Sequence, residues 1–74
     1  MVIVYSTPSC PYCVMAKDFL RSKNVPFDDI DVSRDQRAAM DMIRKSGQNG
    51  VPVIDFNGEI IIGFDRSRLE KLIK

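Results

Sequence analysis

Apolar residues in this chain fall into seven short blocks separated by polar, glycine or proline punctuation. Val2-Ile3-Val4-Tyr5 is a continuous, largely β-branched run that Ser6-Thr7-Pro8-Ser9 ends. That is the pattern of a strand buried on both faces. Pro11 suits a first helical turn. Val14, Ala16, Phe19 and Leu20 then mark an apolar side, so a helix is predicted over Pro11 to Lys23, with Pro26 barring continuation. Phe27 to Val32 sets Ile30 and Val32 between aspartates and reads as a half-exposed strand. Ser33 with Gln36 three residues on has the form of a capping box. It would open a second helix whose buried side is Ala39, Met40, Met42 and Ile43, and which Gly47 stops.

After the turn-rich Gly47-Gln48-Asn49-Gly50, two β-rich runs, Val51 to Phe56 and Glu59 to Ile62, flank Asn57-Gly58. That dipeptide is the strongest short-range hairpin signal. Asp65 or Ser67 can cap a last helix with Leu69, Leu72 and Ile73 on one face and Lys71 and Lys74 near its negative end. The order β-α-β-α-β-β-α joins a parallel unit to an antiparallel hairpin. The expectation is an α/β fold: a four-stranded mixed sheet with three helices covering both faces, forming one domain over residues 1–74.

Eleven basic and ten acidic residues leave a net charge of +1. No field of one sign invites nucleic acid or an anionic membrane, and no apolar run has the length of a spanning helix or the layout of a leader. A monomer in the cytoplasm, acting on small or varied partners, is expected.

The two cysteines change the picture. Cys10 and Cys13 stand just after the first strand, at the predicted helix start. In a reducing compartment such a pair is more often catalytic or metal-binding than structural, and so short a loop makes a poor staple. A zinc site needs four ligands, and the chain has no histidine and no second cysteine pair. Haem attachment needs histidine where Val14 stands. Inert core cysteines are the other alternative, but they do not usually flank Pro-Tyr at a helix start, and the context favours thiol-disulfide exchange. The nucleophile there is a thiolate, and a helix N-terminus favours negative charge. Cys10 occupies that position, and Cys13, one turn further in, suits a resolving thiol.

Two further segments stand out. Pro52 cannot donate to a strand ladder and forces Val51 extended, so Val51 has backbone groups to offer a partner; a cis Val51-Pro52 bond would turn that edge toward Cys10. In Gly63-Phe64-Asp65-Arg66-Ser67, exposed N-H groups can hold a carboxylate and Asp65 an ammonium, or Asp65 is simply a cap. Phe64 is core or an apolar contact for a protein partner.

Taken together, Cys10-Pro11-Tyr12-Cys13, Val51-Pro52 and Gly63-Phe64-Asp65 resemble a small bacterial glutaredoxin of the thioredoxin fold, and the resemblance covers essentially the whole chain. It implies that Cys10 attacks disulfides and glutathione mixed disulfides, that Pro52 is cis, and that glutathione lies across the Val51 backbone. By the same resemblance the γ-glutamyl end meets Phe64, Asp65 and Arg66, Tyr12 lines the groove, and Thr7 takes the place of a glutathione-holding lysine. Glutathione then serves as reductant and co-substrate with no tightly bound cofactor and no metal, and the partners are disulfide-containing or glutathionylated proteins.

Two positions depart from the family. Thr7 is one, and Ala39 falls where the second helix usually carries a charged or amide anchor; Arg34 or Arg37 are the available substitutes. Gly63-Phe64 also resembles the glutaredoxin-like electron donors of ribonucleotide reductase, which are reduced by thioredoxin reductase. A third alternative is a module in which two chains each give Cys10 to an iron-sulfur centre.

Overall fold

The computed structural model describes residues 1–73. The elements are β1 (Val2–Ser6), α1 (Pro11–Ser22), β2 (Asp28–Asp31), α2 (Gln36–Ser46), β3 (Val53–Phe56), β4 (Glu59–Ile62) and α3 (Arg66–Ile73). The proposed end-of-helix role of Lys74 lies outside the described residues. The strands form one sheet in the order β2-β1-β3-β4. β1 runs parallel to β2, with Tyr5 beside Ile30, and antiparallel to β3, with Tyr5 opposite Val53. β3 and β4 close the expected hairpin, with Val53 opposite Ile62. This is the mixed sheet that the element order implied.

Alternation along the strands divides the core between the two faces of the sheet. Val2, Val4, Ile54 and Ile61 pack with Ala16, Phe19 and Leu20 of α1 and Leu69 of α3. On the opposite face Tyr5 and Val53 pack with Ala38 and Met42 of α2. Because β1 is interior to the sheet and covered on both sides, its run of apolar residues is continuous.

Local chemistry explains where the elements begin and end. Asn57 and Gly58 both have positive φ, 53° and 100°. That is the requirement of a type I′ turn, and Asn-Gly meets it at little cost. The cap of α2 is Asp35, whose carboxylate accepts the Ala38 N-H at 3.0 Å, and not Ser33. The serine is diverted because its N-H and hydroxyl both donate to Asp31. The buried stripe of α2 is Ala38 and Met42, one turn apart on the side that meets the sheet, while Ala39 is half-buried and Met40 and Ile43 are exposed. Asp65, not Ser67, caps α3 by accepting the Arg68 N-H at 3.2 Å. β3 begins at Val53 rather than Val51, because the peptide before it is the cis Val51-Pro52 bond. β2 is trimmed of Phe27 and Val32, and Val14 and Leu72 lie on the exposed sides of their helices. Among the described residues no helix is long and apolar enough to cross a membrane.

Candidate active site

β1 delivers the chain to Thr7-Pro8-Ser9, and Cys10 follows as the N-cap of α1, with extended backbone (φ −105°, ψ 107°) and Pro11 in the first turn. The Cys10 Sγ accepts the Cys13 N-H at 3.1 Å, and the Cys10 carbonyl accepts the Val14 N-H at 3.2 Å. The sulfur thus occupies the seat that a capping oxygen takes in other helices, facing backbone donors. Both thiols are free.

The two sulfurs differ sharply. Cys10 is half-buried, whereas Cys13 has no exposed surface. Burial pushes the Cys13 thiol up to about 11, and the hydrogen bond with the Cys10 side chain adds to the rise. A backbone hydrogen bond from Thr7 and the charge of Lys17 act in the opposite direction. Cys13 is therefore a protonated thiol at neutral pH, shielded by the protein.

Facing Cys10 across the cleft is the Val51 carbonyl, 3.8 Å from the Cys10 Sγ. The Val51-Pro52 bond is cis, and Pro52 is buried. The Pro52 carbonyl accepts the Gly63 N-H at 2.8 Å, tying this loop to the end of β4. Thr7, Cys10, Cys13 and Val51 thus come together directly, with Thr7 half-buried and its carbonyl accepting the Cys10 N-H at 3.4 Å. Tyr12 projects from the first helical turn, 63% exposed.

The Gly63–Arg66 segment joins the site through Pro52. The Phe64 ring is partly buried and meets Phe19 edge-on at 5.9 Å, so it is core material. The Arg66 guanidinium lies 5.4 Å from the Phe19 ring and pairs with Glu70 at 3.3 Å. Asp65 is exposed apart from its capping bond. Of the two arginines considered as substitutes for missing anchors, Arg34 leans on Asp31 at 3.8 Å and Arg37 is exposed on α2. Ala39 is half-buried on the same helix.

Sequence reasoning missed a charged cluster beside Cys13. Lys17 Nζ pairs with Asp29 at 2.9 Å, and the Ser6 hydroxyl donates to the other oxygen of Asp29 at 2.8 Å. Burial alone would raise the Asp29 carboxyl, but the bonds from Lys17 and Ser6 outweigh it and hold it below its ordinary value. These residues line a cleft of about 250 Å³ with Thr7, Pro8 and Asp31. One signal was available: Lys17 follows Cys13 by four residues and so lies on the same helix face. Its aspartate partner could be found only from the β1–β2 register.

A dithiol presented by a helix start to a cis-proline loop, on this mixed sheet, places the molecule among the thiol-disulfide oxidoreductases of thioredoxin-like fold. The glutaredoxin family model matches residues 2–61, and the chain belongs to the glutaredoxin family. A glutaredoxin-like 8.6 kDa protein encoded in a rubredoxin operon of Clostridium pasteurianum is 45% identical, covering 100% of this chain and 99% of the relative. Glutaredoxin 3 of Escherichia coli is 34% identical, with coverage of 99% and 96%. The crystal structure of the thioredoxin-like protein BC3987 superposes with a TM-score of 0.92 at 32% identity, covering 97% of this chain and 99% of that one.

Proposed function

We propose that this glutaredoxin-family enzyme is a glutathione-linked dithiol reductase in which Cys10 is the attacking sulfur and Cys13 the resolving one. The observation that carries the reading is the asymmetry of the pair: an accessible sulfur at a helix cap, and a buried thiol with its pKa raised to about 11 one turn behind it. On a protein disulfide, the Cys10 thiolate attacks one sulfur and releases the other as a thiolate that takes a proton from solvent. Cys13 then loses its proton and attacks the Cys10 sulfur, which frees the second target thiol and closes the Cys10-Cys13 disulfide. Two glutathione molecules restore the dithiol and leave as glutathione disulfide. On a glutathionylated target, Cys10 attacks the glutathione sulfur, and a second glutathione regenerates it without Cys13.

In this reading an extended tripeptide lies along the Val51 backbone, next to Tyr12 and Thr7, and its far end approaches Phe64, Asp65 and Arg66. Likeness over nearly the full length to proteins named glutaredoxin supports glutathione as reductant. The test is turnover of a glutathionylated peptide with glutathione, NADPH and glutathione reductase; no turnover by the native protein would falsify the assignment.

A second reading has its own support. The two family anchor positions hold Thr7 and Ala39, neither of which brings a charge to a glutathione carboxylate. Such an anchor contributes about 1.5 to 3 kcal/mol, so a protein lacking both fits an electron donor recharged by thioredoxin reductase. Rapid reduction of the Cys10-Cys13 disulfide by thioredoxin reductase and NADPH, with slow reduction by glutathione, selects it.

A further inference from the structure

The segment between α2 and the cis-proline is braced in a way that the redox chemistry does not itself require. Gly47 ends α2 in the left-handed region (φ 75°), and the Ser46 hydroxyl lies 2.8 Å from the Met42 carbonyl and 2.9 Å from the Gln48 carbonyl, its one proton shared between them. The Gln48 side chain then folds onto Gly50. Its Nε2 donates to the Gly50 carbonyl at 3.1 Å and its Oε1 accepts the Gly50 N-H at 2.6 Å. Only this orientation of the carboxamide meets a carbonyl and an N-H together.

The consequence falls on the next residue. The Gly50 carbonyl and the Val51 N-H belong to one planar peptide unit, so fixing the direction of one fixes the other. Among the described residues the Val51 N-H donates to no backbone or side-chain acceptor, and the Val51 carbonyl meets only the Cys10 sulfur. The φ of Gly50 lies outside the left-handed region, and a Cβ there would stand 2.8 Å from Gln48 Oε1, so it would displace the carboxamide and break the grip without straining the backbone.

We propose that Gln48 is a positioning residue for peptide disulfides: by gripping both polar groups of Gly50 it aims the free Val51 N-H at the extended backbone of the substrate beside Cys10. This rests on the reading of Cys10 as the attacking sulfur, and it holds whichever reductant recharges the dithiol.

Two variants remove the grip by different routes. Gln48→Met keeps the length of the side chain without its hydrogen bonds, and Gly50→Ala expels the carboxamide. The experiment is single-turnover oxidation of the pre-reduced protein by a disulfide-containing peptide and, separately, by bis(2-hydroxyethyl) disulfide, which has no peptide backbone. Both variants are expected to raise the half-saturating peptide concentration about tenfold, with the limiting rate within about twofold of native and native rates on the small disulfide. Unchanged peptide affinity in both variants overturns the proposal, as does an equal loss on both substrates. Loss of the limiting rate at unchanged affinity overturns it as well. If the native protein reacts with the peptide but fails in the glutathione-coupled assay, the choice of reductant is what has failed, and the Gln48 result still stands.

Discussion

Each face of the sheet carries one lysine from a helix, held by an aspartate from a strand and accompanied by a hydroxyl from β1. On the α2 face Lys45 bonds Asp55 at 2.8 Å and the Tyr5 hydroxyl at 2.6 Å, with its ammonium 5.0 Å from the Tyr5 ring. On the α1 face Lys17 bonds Asp29, and Ser6, the neighbour of Tyr5, completes the group. The ingredients match, and the surroundings do not. Asp55 also accepts the Gly58 N-H at 2.8 Å, so its cluster clamps the hairpin turn to β1 and α2. Asp29 opens onto a cleft one helical turn from Cys13, where the Lys17 charge lowers the cost of ionising a buried thiol. A lysine-aspartate pair acquires its role from what lies around it: a hairpin turn that it bonds in one case, a buried thiol that feels its charge in the other.

The sharpest way to break this comparison is to remove the sulfurs in turn. Cys10→Ser should lower disulfide reduction by about 1000-fold or more, since a hydroxyl is ionised far less readily than a thiol. Lys45→Met should leave kcat/KM within about twofold, and a Lys45 variant with activity as low as the Cys10 variant would unite the two clusters. Cys13→Ser should retain turnover of glutathionylated peptides while losing dithiol reduction of protein disulfides.

Next in size is the structural cluster. Asp55→Ala deletes a bond to Lys45 and one to the Gly58 amide, and should cost about 2 kcal/mol in urea denaturation. Burial would raise the Asp55 carboxyl, but Lys45 and the Gly58 N-H outweigh it, and the folded value is depressed. A depressed carboxyl stabilises the fold above its unfolded value, and that contribution disappears as pH falls through the folded value. The native protein should therefore lose stability on acidification, and Asp55→Ala should flatten the loss. Lys45 is raised, first by its bond to Asp55 and then by Tyr5, so its share is present at neutral pH and lost as strong alkali removes its proton.

Cys13 gives a comparable effect at the opposite end of the scale. Its thiol rises from 9.0 to about 11 on folding, so the unfolded chain releases this proton first as pH rises. The reduced protein should lose on the order of 2 kcal/mol between those values. Cys13→Ala should not show that alkaline loss when melts are compared across pH.

The smallest expected effect tests the α1-side cluster itself. Lys17→Met should change stability by less than about 1 kcal/mol, as for other part-exposed pairs, and should move the Cys13 pKa upward. Ultraviolet thiolate absorbance against pH, measured in a Cys10→Ser background where Cys13 is the remaining thiol, reads this without requiring access to the buried sulfur, and an unmoved profile would make Lys17 a second Lys45.

How much of this was legible in the chain follows from the range of each interaction. The hairpin was legible because Asn57-Gly58 satisfies a local demand on φ, and the dithiol because helix start, proline and sulfur lie within four residues. Tyr5 was legible as a strand residue, whereas Ser6 read as the stop and proves to be the last residue of β1; what their hydroxyls bond depends on β2, β3 and two helices arriving in register. The spacing of Ser33 and Gln36 pointed to the serine as the cap of α2, but Asp31 draws that serine away and Asp35 takes the position. Phe64 fitted two roles until α3 packed against α1 and set its ring on Phe19. The grip of Gln48 on Gly50 spans only two residues, yet turn composition alone does not say which way a carboxamide folds.

In the proposed reaction the Cys10 sulfur is both the reacting atom and the acceptor that closes the start of α1. A second covalent bond on that sulfur redirects the lone pair that accepts the N-H, so each turnover should slacken the first turn of the helix and then tighten it again. Amide exchange at Cys13 then becomes a native clock for the redox state, readable without a label, a chromophore or the identity of the target.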